Sequence, residues 1–169
     1  TAERITQDEA VLKAADPLVL SVSPTLETMV KWTTLWSDNV LAERLARLAA
    51  VTSGESFSAK GIEATFHTVL NTFGIDPDKI EAIDGSGLSR QNRVTAKVIA
   101  DLLMKIRNDP KYASIYAGLP IGGVSGTLQN RFLTTAPQAV GLVRAKTGTL
   151  SGTISLAGYV DSEDRQYVF

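Results

Sequence analysis

The spacing of apolar residues changes period part-way along the chain, and that change restricts the fold more than any other feature. Up to about residue 108 the apolar positions recur at helical intervals. Between residues 58 and 73, Ile62, Phe66, Val69, Leu70 and Phe73 fall on one helical face, with Ser58 placed to cap the start and Gly74 to end the last turn. Residues 26–36 carry Leu26, Met29, Val30 and Trp36 at similar spacing after Pro24. Residues 40–50 place Leu41, Leu45 and Leu48 on one face and pair Glu43 with Arg47 four positions on. A further stripe, Val98, Ile99, Leu102, Leu103 and Ile106, predicts a helix over 95–108 that Pro110 closes. From residue 140 the pattern turns to β-formers, in three runs at 140–146, 154–160 and 165–169. The runs are joined by connections too short for parallel crossovers, so they predict an antiparallel meander. Helices segregated from such a sheet make an α+β domain, with helices packed on the antiparallel sheet.

Composition narrows the function. Of 169 residues, 17 are basic and 18 acidic, so no basic excess exists to neutralise phosphates, and a nucleic-acid partner is not expected. The apolar share of 44% and charged share of 21% are those of a folded globular chain and exclude disorder as its dominant state. No apolar run approaches the ~20 residues of a bilayer span, so no transmembrane segment is expected in this chain. Residues 1–10 are polar and do not read as a signal peptide, which leaves the targeting of any parent protein open. With no cysteine and one histidine, disulfides and thiolate zinc sites are excluded, and a Ser-His-Asp triad would have to use His67. His67 has Glu63, four positions before it, as its one acidic neighbour at helical spacing, and reads as a solvated or packing residue. Trp32 and Trp36 read as core. No cofactor or metal is expected. Both ends read as cut: residues 165–169 form a strand with no turn or helix after it, and a weak helical pattern over 4–15 has no element before it. The expectation is one ordered piece of a longer protein.

Two short segments carry the chemistry. Ser37-Asp38-Asn39 interrupts two helical runs, and Lys146-Thr147-Gly148-Thr149 ends a strand candidate. Taken singly, the first reads as a helix cap and the second as a hairpin turn. A given tripeptide arises by accident in a chain of this size about 1% of the time. Two in this order favour a site. A hydroxyl such as Ser37 can relay a proton between an amine and a leaving nitrogen. Asn39, both donor and acceptor, can hold a substrate amide, while Asp38 stabilises the turn. Lys146 offers a cation to a carboxylate and tunes a neighbouring amine. Thr147 and Thr149 add hydroxyls, and Gly148 leaves the backbone approachable. The loop at 84–90, Asp-Gly-Ser-Gly-Leu-Ser-Arg, ends in Arg90, which could pair with a carboxylate or serve only structure. A second glycine-rich loop spans 119–132, and its glycines lack the Lys-Ser/Thr that a phosphate loop needs.

In combination these segments resemble the S-x-N and K-T-G motifs of penicillin-recognising serine enzymes. The 84–90 loop, and the 119–128 loop followed by Arg131 and Phe132, are similar to those lying between the two motifs in class C penicillin-binding proteins. These are the D-Ala-D-Ala carboxypeptidases and endopeptidases of peptidase family S13. The resemblance runs from about Leu18 to the end. It implies a penicillin-binding-protein/β-lactamase-like transpeptidase domain, of which residues 1–169 would be the C-terminal part, with the upstream nucleophile region and the final helix absent. It implies catalytic roles for Ser37, Asn39 and Lys146, and substrate binding by Thr147, Gly148, Thr149 and Arg90, with the Thr149 N–H as an oxyanion donor. The implied substrate is the peptidoglycan stem peptide, reached through an acyl-enzyme outside the cytoplasm, in the periplasm or cell envelope. The implied inhibitors are β-lactams, and the implied partner is the upstream part of the same polypeptide.

One motif is missing. No lysine has a serine three positions before it, so the S-x-x-K nucleophile is not in this chain. Two alternatives stay open. A serine β-lactamase of class A would place a glutamate in an E-x-x-L-N context, where residues 67–71 read His-Thr-Val-Leu-Asn. The other is a non-catalytic peptidoglycan-binding domain that kept the pocket and lost its nucleophile.

Overall fold

A computed structural model describes residues 21–169. The pattern expected over 4–15 lies outside the described residues. Helix α1 (Leu26–Trp36) starts where the Thr25 hydroxyl accepts the Thr28 N–H. It stops at Ser37, which turns the backbone into the left-handed region at φ 58°. Such a conformation costs a non-glycine residue about 1–2 kcal/mol, and here the Ser37 N–H recovers a bond to the Thr33 carbonyl. Asp38 then caps α2 (Asn39–Thr52), its carboxylate accepting the Leu41 N–H at 2.9 Å. Helix α3 (Ala59–Thr72) is capped by Ser58, and Gly74 leaves it at φ 68°, as its sequence implies.

A two-residue ladder pairs β1 (Ile80–Glu81) with β2 (Arg93–Val94) and draws the 84–90 loop into a closed projection. Helix α4 (Ala96–Ile106) follows, with Thr95 as cap. A 3₁₀ turn (Pro110–Tyr112) then leads into α5 (Ala113–Gly118). Strands β3 (Val143–Leu150), β4 (Thr153–Asp161) and β5 (Gln166–Val168) form an antiparallel sheet in that order. Ser151 and Gly152, the latter at φ 85°, turn the first hairpin. The antiparallel meander and the α+β class are as the sequence implies.

The period of two divides β3 between two environments. Val143 and Ala145 bury into a cluster with Leu128, against which Phe132, Leu156 and Val160 pack. Arg144 and Lys146 point the other way, toward the helices. There Arg144 lies over the Tyr116 ring of α5, and Tyr159 of β4 donates to the Leu103 carbonyl of α4. A second cluster, Leu70, Ile75 and Val98, joins α3 to α4.

Several expectations fail in instructive ways. The strand expected at 140–146 runs from Val143 to Leu150, so the Lys-Thr-Gly-Thr segment lies within it rather than at its end. Cross-strand pairing to β4 overrides the weak strand preference of glycine. Leu48 and Val69, placed on core faces by their spacing, are exposed. Ala46 and Ala50 form the buried face of α2, and at Ala46 the 84–90 loop approaches too closely for a larger residue. Trp32 and Trp36, expected in the core, are 53% and 45% exposed, and their rings pack on each other. The ladder β1–β2 and helix α5 are too short for any periodicity to reveal them.

Candidate active site

The end of α1, the start of α2, the 84–90 loop and the second half of β3 surround a cleft of about 750 Å³. Ser37, Asn39, Arg90, Lys146, Thr147, Gly148 and Thr149 all line it. The seven positions singled out in the sequence thus come together, although the first and last lie more than a hundred residues apart.

The central contact is a hydrogen bond from Lys146 Nζ to Ser37 Oγ at 2.8 Å, spanning 109 residues of sequence. The same ammonium donates to the Thr147 carbonyl at 2.7 Å. Among the described residues no carboxylate forms an ion pair with it. Burial therefore acts unopposed and pulls the Lys146 pKa below the usual lysine value. The result is a partly desolvated cation beside a serine hydroxyl.

Ser37 and Asn39 owe their places to capping. The left-handed turn at Ser37 aims its hydroxyl at the sheet, and the Asp38 cap starts α2 so that Asn39 opens its first turn at the cleft. The cap falls to Asp38, while Ser37 and Asn39 on either side of it line the cleft.

Strand β3 presents a half-open edge. Val143 O accepts the Gly122 N–H at 2.8 Å, and the Ala145 N–H reaches Pro120 O at 3.0 Å, so the 120–122 segment closes the first half. Backbone groups alternate in direction along a strand, so Thr147 and Thr149 direct theirs to this same edge, where the cleft lies open. Gly148 packs tightly behind them: a Cβ there would lie 2.3 Å from Ser155 Oγ. The Thr147 hydroxyl lies 2.8 Å from that of Thr127, a residue the sequence reading passed over. Thr127 sits in a loop already marked as glycine-rich, but nothing in its spacing shows that it would meet β3.

The opposite wall organises itself. The Asp84 carboxylate accepts the N–H groups of Gly87 and Ser89, at 2.5 and 2.7 Å, and the Ser86 hydroxyl at 3.1 Å. Asn92 accepts the Ile83 N–H at 2.7 Å and places its own amide 3.4 Å from Asp84. Burial pushes the Asp84 pKa upward, but the bonds from Ser89, Gly87, Asn92 and Ser86 outweigh it and hold the carboxyl below its usual range. Arg93 donates to the Arg90 carbonyl at 2.6 Å, leaving the Arg90 side chain exposed at the cleft. With Lys146 on one wall and Arg90 and Arg93 on the other, the cleft suits an anionic, extended ligand.

The model of the D-Ala-D-Ala carboxypeptidase 3 (S13) family matches residues 1–169. The chain belongs to this family. Carboxypeptidase DacB of Mycolicibacterium smegmatis is 41% identical over 128 residues, covering 73% of this chain and 28% of that protein. A D-alanyl-D-alanine carboxypeptidase of Actinomadura sp. is 37% identical, covering 96% of this chain and 30% of that protein. The crystal structure of penicillin binding protein 4 from Haemophilus influenzae matches with a TM-score of 0.75 at 31% identity, over 83% of this chain and 31% of that one. The chain thus spans about 30% of the length of these relatives. None of the described helices is long and apolar enough to cross a membrane.

Proposed function

We propose that this chain supplies the S-D-N and K-T-G walls of the cleft of a serine-type D-Ala-D-Ala carboxypeptidase/endopeptidase. In this reading residues 1–169 are the C-terminal part of one transpeptidase-like domain, and the complete protein brings an S-x-x-K serine from upstream. The observation that carries the reading is the 2.8 Å contact between Lys146 and Ser37 beside the open edge of β3.

The substrate is a peptidoglycan stem peptide. Its extended backbone adds to the Thr147–Thr149 edge, and its terminal carboxylate meets Lys146 and the hydroxyls of Thr147 and Thr149. The upstream serine attacks the carbonyl of the penultimate D-Ala, and the Thr149 N–H stabilises the oxyanion. The serine's proton passes to the amine of the upstream S-x-x-K lysine, and from there through Ser37 to the departing D-Ala nitrogen as the C–N bond breaks, leaving an acyl-enzyme for water to hydrolyse. Asn39 holds the acyl-side amide. Arg90 receives a carboxylate on the side chain of the third stem residue. β-lactams acylate the same serine. The substrate puts the enzyme outside the cytoplasm, in the periplasm or cell envelope.

The test uses the complete protein and labelled penicillin. One stoichiometric adduct on an upstream S-x-x-K serine is expected, persisting for minutes or longer, since no glutamate stands in the E-x-x-L-N context. Residues 1–169 alone are expected to form none. An adduct within residues 1–169 overturns this reading, and release within about a second points to a β-lactamase. A protein that binds stem peptide without acylation is a non-catalytic domain.

A further inference from the structure

The shape of the loop bearing Arg90 is set by the Asp84 and Asn92 bonds. Those bonds leave open where the loop sits relative to Asn39, on the neighbouring helix. Glu43 closes that gap. It lies one helical turn after Asn39 on α2, and its Oε2 accepts the Gly85 N–H at 2.7 Å, across 42 residues of sequence. Its other oxygen is gripped by Arg47 Nε and Nη2 at 2.7 and 2.6 Å. Arg47 is itself fixed, donating to the Phe57 carbonyl and lying 5.2 Å from the centre of the Phe57 ring. The contact is steric as well, since a Cβ on Gly85 would come within 2.2 Å of Ala46 Cβ.

We propose that Glu43 is a specificity-positioning residue: by holding Gly85 it sets the spacing between Arg90 and Asn39, and so the recognition of a carboxylate on the acyl side of the substrate. The proposal rests on the reading of the cleft given above. A ligand gripped at two points, its amide by Asn39 and its carboxylate by Arg90, tolerates little error in the distance between them. Glu43 itself stays behind the cleft wall and acts only through Gly85.

The experiment compares kcat/KM of the complete enzyme on two stem peptides, one with a free carboxylate on the third side chain and one with the carboxamide. Penicillin acylation is measured alongside. In Glu43→Ala the preference for the carboxylate is expected to fall about tenfold, mainly through KM. Glu43→Gln keeps an acceptor for the Gly85 N–H and should retain most of the preference. Gly85→Ala, which pushes the loop off Ala46, should reproduce the loss. Equal losses on both peptides in folded Glu43→Ala overturn the proposal. Should that variant fail to fold, an unchanged preference in Gly85→Ala does so instead. A wild-type enzyme acylated by penicillin but indifferent to the carboxylate overturns the proposal alone. A wild-type enzyme that is not acylated overturns the reading of the cleft and the proposal with it.

Discussion

The two walls of the cleft are built on opposite principles. The wall at 84–90 takes its shape locally: the bonds of its Asp84, Ser86 and Asn92 side chains join residues no more than nine positions apart, the short β1–β2 ladder seals it, and the Glu43 bond to Gly85 reaches further. The wall formed by Ser37 and Lys146 is entirely non-local. Its central bond joins the end of a helix to the middle of a strand, and neither element holds its partner in place by itself. Packing holds it instead: α5 abuts α1 where Gly118 meets Thr34 and Lys31, and the Tyr116 hydroxyl donates to Asp161 of β4 at 2.7 Å. The proposed chemistry sits on the wall that depends on the whole fold. The proposed recognition of a side chain sits on the wall that a short stretch of sequence can shape.

Substitutions can break this contrast most forcefully at the non-local wall. In the complete protein, Lys146→Ala and Ser37→Ala should each slow penicillin acylation by roughly 10²–10⁴-fold, as lost proton-transfer groups do. Melting temperatures should barely move, since neither residue fills a core position. Near-parental rates in both variants would reduce the contact to packing. The protonation of Lys146 sharpens the point. Burial lowers its pKa, so the alkaline limb of the acylation profile should fall below the ordinary lysine value of 10.5. Lys146→Arg keeps a cation that does not titrate in that range. Whatever activity it retains should lose the limb, and a limb that persists assigns it to another group.

At the local wall the effects should be smaller and differ in kind. Asp84→Ala leaves two backbone N–H groups without their carboxylate and should cost about 1–2 kcal/mol of stability. Its acylation rate should change less than in either Lys146 variant. The sign of its pH dependence follows from its lowered pKa. Between the folded value and the ordinary 3.8 the unfolded chain binds more protons, so stability rises with pH through that window. Asp84's contribution is complete above about pH 4 and is lost as pH falls through the folded value. Urea melts of Asp84→Asn should lack that decline, and parallel curves for variant and wild type would make the carboxylate irrelevant. The smallest effect is expected for Arg90→Ala. It should reduce turnover of a stem peptide with a free third-residue carboxylate about fivefold more than that of its amide. Equal losses would give Arg90 a structural role only.

Period, caps and punctuation determined much of this protein by themselves. The helical stripes around Ile62 and Val98, the caps at Ser58 and Asp38, the break at Gly74 and the antiparallel order of the last three strands follow from local rules about backbone and burial. The candidate site residues could also be picked out, because two chemically unusual short segments occur in one order, although only Ser37-Asp38-Asn39 stands at a break between elements and β3 runs through the other. Only the tertiary structure decided the rest. Pairing with β4 carried the strand through Gly148, and the close approach of Gly85 to Ala46 leaves room there for alanine and not for leucine. The Thr127 contact and the Glu43 bond to Gly85 stayed hidden because a hydroxyl or carboxylate looks the same in sequence whether it faces solvent or a partner 20 or 42 residues away. The lowered pKa of Lys146 belongs to the same class. It is set by water excluded from around the ammonium, and only the packed chain determines where water cannot go.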